Sequence, residues 1–163
     1  MADLFVISEL RDYLVSSGAC QAPDQPVSMV LPSVWEDPRD GAPEPRPGED
    51  VTITLRDTML APAASLEAWI EETFVDVIVR SRKPAQGKLV QRAIRDLIHP
   101  ITAHGGKKQW TMGALVVEYS TIWRSDQKLP PPPGVTNPVS YDRVQSFRFG
   151  CRRKALAGQP TVP

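Results

Sequence analysis

Apolar and polar positions recur along this chain with two different periods, and each change of period marks an element. Leu4, Ile7, Leu10 and Leu14 lie at helical spacing, with Phe5 and Tyr13 widening the stripe and Asp3, Glu9, Arg11 and Asp12 on the remaining faces. The spacing predicts a helix over residues 3–17, stopped by Gly18. Residues 27–34 are apolar but contain Pro32, which has no N–H for a central ladder, so a short edge strand or extended arm is expected there. Val51, Ile53 and Leu55 alternate with Thr52, Thr54 and Arg56, the pattern of a strand with one wet face. A turn at residues 61–65, with Ser65 as the cap, leads into a short helical piece over 66–73. Residues 74–82, FVDVIVRSR, are rich enough in β-branched side chains for a second strand.

Further on, Leu89, Val90, Ala93, Ile94, Leu97 and Ile98 predict the narrow apolar face of a helix that ends before Pro100 and leaves Lys88, Gln91, Arg92, Arg95 and Asp96 toward water. After the turn at His104-Gly105-Gly106, residues 110–123 read as one long strand, and residues 141–152 as the last. Phe147 and Phe149 alternate in that last strand and are expected in the core. Two stretches stand outside this order. Residues 36–50, EDPRDGAPEPRPGED, have nothing to bury and predict a mobile loop, and residues 129–138, with PPPPG, predict a stiff one. The expected fold is α+β: one mixed or antiparallel sheet of about four to five strands with two main helices packed on it and long proline-rich loops. One domain covers residues 1–154, followed by a flexible tail at 155–163.

With 163 residues, 41% hydrophobic and 23% charged, the chain can bury a core and is too apolar to stay unfolded. No run approaches the roughly 18–20 apolar residues of a membrane-spanning helix, and the start lacks the basic residues of a signal peptide. A protein made and kept in a cytoplasm, without a membrane partner, is expected. Cys20 and Cys151 are then buried or idle thiols in preference to a disulfide. Charge changes the picture more. The formal net charge is zero, yet residues 1–76 hold 15 acids against 4 arginines and residues 77–163 hold 4 acids against 15 bases, so the halves carry −11 and +11. Either the halves neutralise each other inside the fold, or the subunit stays bipolar and attracts its own copies head to tail, the heterologous contact that closes into rings.

Motifs that would announce chemistry are missing: there is no G-x-S-x-G, P-loop, G-x-G-x-x-G, H-E-x-x-H or paired C-x-x-C. His99 and His104 are five apart with Pro100 between them, so they do not share a helix face, and further zinc ligands are lacking; no metal or other cofactor is expected. Glu67, Glu71, Glu72 and Asp76 form an acidic cluster that reads as a solvated face before it reads as a carboxylate pair for acid–base work. Arg143, Arg148, Arg152, Arg153 and Lys154 make a basic tail of the kind a nucleic-acid binder uses. Trp35, Trp69, Trp110 and Trp123 stand beside loops, where tryptophan either caps a core or anchors a partner. No residue is assigned a catalytic role.

Four segments together resemble the tail terminator proteins of long-tailed, non-contractile bacteriophages: ADLFVISELRDYLVSSG, VTITLRDT after a proline-rich loop, FVDVIVRSR running into GKLVQRAIRDLI, and YDRVQSFRFGCRR, which span most of residues 2–153. The arginine-ended strand Val77-Ile78-Val79-Arg80, a short turn and an amphipathic helix recur in that family. The resemblance implies a structural, non-enzymatic virion protein, assembled in the host cytoplasm and located at the head-proximal end of the tail. There it forms a ring, a hexamer, that caps the tail tube, ends its polymerisation and offers the surface that joins tail to head. Its partners are its own copies, the tail tube protein and a head–tail connector or neck protein; DNA passes through the ring without specific binding. The alternative within the class is a head-completion or neck connector protein. From other classes, a host binding module or a small hydrolase around Glu71, Glu72 and Asp76 stays open. Ring or tube contacts are placed on Trp35, Asp37, Arg39, Glu44, Arg80, Arg82, Arg92, Arg95 and Trp123, and a basic contact on Arg148, Arg152 and Arg153.

Overall fold

The computed structural model describes residues 6–28, 30–36, 45–57, 71–99, 109–131, 133–134, 136 and 139–153, with backbone alone for Glu71, Trp123, Ser125 and Arg153. In chain order these form α1 (Val6–Ser16), β1 (Ser33–Glu36), β2 (Val51–Asp57), β3 (Glu71–Ser81), α2 (Pro84–Ile98), β4 (Trp110–Met112), β5 (Leu115–Lys128) and β6 (Tyr141–Arg153). The strands make one six-stranded sheet in the order β1-β2-β3-β6-β5-β4. Every pairing is antiparallel except that of β1 with β2.

Register decides which face each side chain takes. Ile53 lies opposite Val79, Leu55 opposite Val77, and Val75 opposite Phe147, so the odd-numbered residues of β2, β3 and β6 share one face. Both helices sit there: Val6, Leu10 and Leu14 of α1 and Ile94 and Ile98 of α2 belong to the same core as these strands. Phe147 and Phe149 stack with centroids 5.9 Å apart, as their alternation in the sequence predicts. Helix α1 touches both ends of the sheet. Arg11 pairs with Glu36 of β1 at 2.9 Å, and the Tyr13 ring meets Trp110 of β4 at 4.8 Å. Because β1 and β4 are the two edges, the sheet must curl until one helix reaches both, and register shifts in β5 add to the twist.

Several expectations hold. Helix α1 ends at Gly18, whose φ of +81° is the left-handed stop expected of glycine. Strand β1 is a short edge strand, although it starts after Pro32 and not at residue 27. Cys20 and Cys151 are buried and not joined in a disulfide, and burial pushes the Cys20 thiol up to about 12. Among the described residues no helix is long and apolar enough to cross a membrane.

Other expectations are corrected. The sheet has six strands, not four or five, partly because residues 110–123 are not one strand. Gly113, at φ +57°, and Ala114 form a two-residue turn, and β4 folds back on β5, which runs on to Lys128. The helical piece is overturned at residues 71–73, which pair with Cys151, Gly150 and Phe149 as strand; its earlier part lies outside the described residues. Strand β2 has no wet face over residues 51–55: Thr52 and Thr54 are 1% and 2% exposed, since the sheet is buried on both sides here and short hydroxyl side chains fit that interior. In α2 the buried stripe is Gly87, Gln91, Ile94 and Ile98, so Leu89 and Ala93 turn outward and Gln91 inward. The predicted loop at 36–50 starts one residue later, ends where expected, before Val51, and is pinned at that end. Glu36 is in β1, and Glu49 is buried, where it accepts the Ser33 and Arg46 backbone N–H groups at 3.0 and 3.1 Å. Residues 37–44, most of 132–138, and 154–163 lie outside the described residues, and with them the expected mobile loop and tail.

Candidate subunit-contact surface

The sheet face opposite the helices carries a set of charged side chains, each held by a neighbour. Arg56 donates to Asp76 at 2.9 Å, and the Ser146 hydroxyl donates to the other oxygen of that carboxylate at 2.5 Å. Arg80 forks onto Asp142 at 2.7 and 2.8 Å. Arg152 binds Glu118, whose second oxygen accepts Gln109 at 2.6 Å, and Tyr119 donates to Glu72. On the helix side, Arg143 forks onto Asp126 at 2.9 and 2.7 Å, and the Gln91 amide, oriented from its hydrogen-bond partners, donates to the same carboxylate.

Among the described residues the ion pairs stay within each half. All four acids of residues 77–163 bond to arginines of that same part: Asp96 to Arg95, Glu118 to Arg152, Asp126 to Arg143 and Asp142 to Arg80. In residues 1–76, Arg11 bonds to Asp12 and Glu36, Arg46 to Glu49, and Arg56 to Asp76. Among the described residues no ion pair joins the acidic half to the basic half. The basic half therefore keeps its surplus: Lys83, Lys88 and Arg92 are exposed and form no ion pair among the described residues.

Lys88 and Arg92 belong to a stripe at residues 85, 88, 89, 92, 93 and 96 that α2 presents wholly to solvent. Leu89, in its middle, is 65% exposed. Beside the stripe is a shallow, open depression lined by Val30, Leu31, Pro32, Asp50, Gln86 and Val90. Val30 is 86% exposed, so two of the three exposed large apolar side chains gather around this end of α2.

The residues singled out from the sequence are dispersed. Arg92 is on the stripe; Arg95 is beside it but held by Asp96 at 3.0 Å. Arg82 is exposed, yet its guanidinium donates to the Pro45 and Arg46 carbonyls at 2.6 and 3.4 Å, tying down the end of the acidic segment. Trp35 is half-buried on the edge strand, its indole N–H on Ser33 at 2.9 Å. Arg80 and Arg152 are engaged within the fold, on Asp142 and Glu118. Arg148 is half-buried, and its Nε is buried without a hydrogen-bond partner among the described residues. Trp123 and Arg153 are placed by backbone only, on β5 and β6, while Asp37, Arg39 and Glu44 lie outside the described residues.

Two members of the acidic cluster are not solvated as expected: Asp76 is 2% exposed beneath Arg56 and Ser146, and Glu72 is half-buried against Tyr119, while Glu67 lies outside the described residues and Glu71 is placed by backbone only. His99 is buried with its Nδ1 2.7 Å from the Ser120 hydroxyl. Among the described residues no group of three or more His, Cys, Asp or Glu side chains could hold a metal ion. Leu89 and Val30 are exposed apolar side chains that sequence reasoning did not single out. Apolar Leu89 fits the helix pattern as core, and only the rotation of α2 on the sheet exposes it. No protein-family model matches the chain, and no curated protein matches it.

Proposed function

We propose that this protein is a structural subunit that assembles with its own copies into a ring, and that the ring is the terminator of a non-contractile phage tail: it caps the tail tube, stops its growth and receives the head. The observation that carries the assembly reading is that no ion pair among the described residues joins the acidic half to the basic half. A subunit with opposite charges on two parts of one chain attracts copies of itself, and heterologous contacts close into rings. The tail position rests on the four segments that resemble terminator proteins. Two of the four arginines of the basic tail, Arg143 and Arg152, are spent on carboxylates, which weighs against a nucleic-acid grip.

Silencing the gene during infection and scoring particles by negative-stain microscopy tests the assignment. Overlong tails without filled heads support the terminator. Tails of normal length beside unjoined heads move the protein to the neck, and normal particles refute both.

A further inference from the structure

We propose that the outward stripe of α2, with Leu89 at its centre, is the basic half of a heterologous contact whose other half is the acidic amino-terminal part of a second copy of this chain, a placement that rests on the ring-subunit reading.

Three observations converge on this surface. Its centre is apolar: Leu89 is 65% exposed, with Val30, at 86%, in the depression alongside. A single exposed leucine is ordinary, but an apolar cluster with a charged margin is how the core and rim of an interface are built. Its centre is flanked by two cations, Lys88 and Arg92, that form no ion pair among the described residues, while Asp96 at the far end is held by Arg95 and Asp50 lies in the depression. Lys88 and Arg92 are one helical turn apart, a like-charge spacing that slightly destabilises an isolated helix. The start of α2 adds to the same field: Lys83 is its N-cap, no side chain caps it, and its first turn holds no acid. Finally, the complementary charge exists on the chain but is not used here. Residues 1–76 carry −11, their described arginines are already held by acids of that same part, and Asp24 is exposed and forms no ion pair among the described residues. Two copies meeting stripe to stripe would set cations against cations, so the contact has to be head to tail.

Sedimentation velocity on the full chain, at low and high salt, tests this with the variants Lys88→Glu/Arg92→Glu and Leu89→Asn. All three positions are exposed, so both variants should melt like the parent. The parent is expected to form assemblies larger than a dimer that weaken with salt. Each variant alone should associate at least about tenfold more weakly. A charge-reversed subunit still has its acidic flank, so mixing it with the parent in equal amounts should shorten the parent's assemblies by capping them. Variants that assemble like the parent would overturn the placement while leaving the ring reading intact, and so would a mixture in which the parent's assemblies are unchanged. A parent chain that stays monomeric at all concentrations would remove the ring reading itself.

Discussion

Tyr119 of β5 lies across Gly150 of β6 and donates its hydroxyl proton to Glu72 of β3, so a single side chain ties three adjacent strands together. A Cβ at Gly150 would collide with the Tyr119 ring, which is why this strand position is glycine in the middle of an otherwise bulky sequence. Gly150→Ala should therefore destabilise the protein by about 1–3 kcal/mol through overpacking, and Tyr119→Phe by about 1–2 kcal/mol through the lost hydrogen bond. Urea unfolding of the two variants measures both. A Gly150→Ala protein as stable as the parent would mean that the ring does not rest there.

The same tyrosine should titrate late. Burial first, and then the hydrogen bond to Glu72, push its phenol from 10.0 up to about 12. The folded state holds the proton more tightly than the unfolded one, so the associated stability is complete below the unfolded value near 10 and is lost as pH rises toward 12. Ultraviolet titration should show one tyrosine ionising late, and Glu72→Gln should bring it earlier.

Glu49 anchors the end of the acidic segment. Its burial alone would raise the carboxyl, but the hydrogen bonds from Ser33 and Arg46 outweigh that and hold it below the ordinary carboxylate value. The sign is opposite to that of Tyr119: this stability is present above the unfolded carboxylate pKa and is lost as pH falls through the folded one. Glu49→Ala leaves the Ser33 and Arg46 N–H groups without their acceptor and should cost about 1–3 kcal/mol at neutral pH. Its deficit relative to the parent should shrink in acid, as seen in paired melting curves at neutral and acid pH.

Thr54 should behave in the reverse way. Its side chain is 2% exposed and its hydroxyl has no hydrogen-bond partner among the described residues. Thr54→Val keeps the shape and removes the unpaired hydroxyl, so the variant should be neutral or more stable by about 1 kcal/mol. A clear loss of stability on thermal unfolding would show that the hydroxyl is bonded.

Thiol chemistry reports the integrity of the core. Cys20 is buried with its thiol pushed up to about 12, and Cys151 is buried as well. Neither should react with a disulfide reagent at mildly alkaline pH until denaturant is added, because the thiolate is the reactive form and access is closed. Fast labelling of a thiol in the folded protein would contradict that burial.

The sequence by itself determined the elements that depend on near neighbours. The alternation at residues 51–55 makes a strand, the helical spacing of Leu10 and Leu14 makes α1, Gly18 stops it, and the Phe147–Phe149 alternation puts both rings in the core, because side-chain direction follows from backbone period alone. The uneven distribution of charge was also legible. What only the tertiary structure decided is who meets whom. Ser146 reaches Asp76 across 70 residues and Arg80 reaches Asp142 across 62, so an acid such as Asp76 that looks solvated in the sequence is buried and paired in the fold. Gly113 made a hairpin where β-branched residues suggested one unbroken strand. The roll of α2 against β3 and β6 turned Gln91 in and Leu89 out, and thereby created the surface to which subunit contact is assigned. A helix pattern can define an apolar face, but the angle at which that face settles depends on the shape of the sheet beneath it, and no local period encodes that shape.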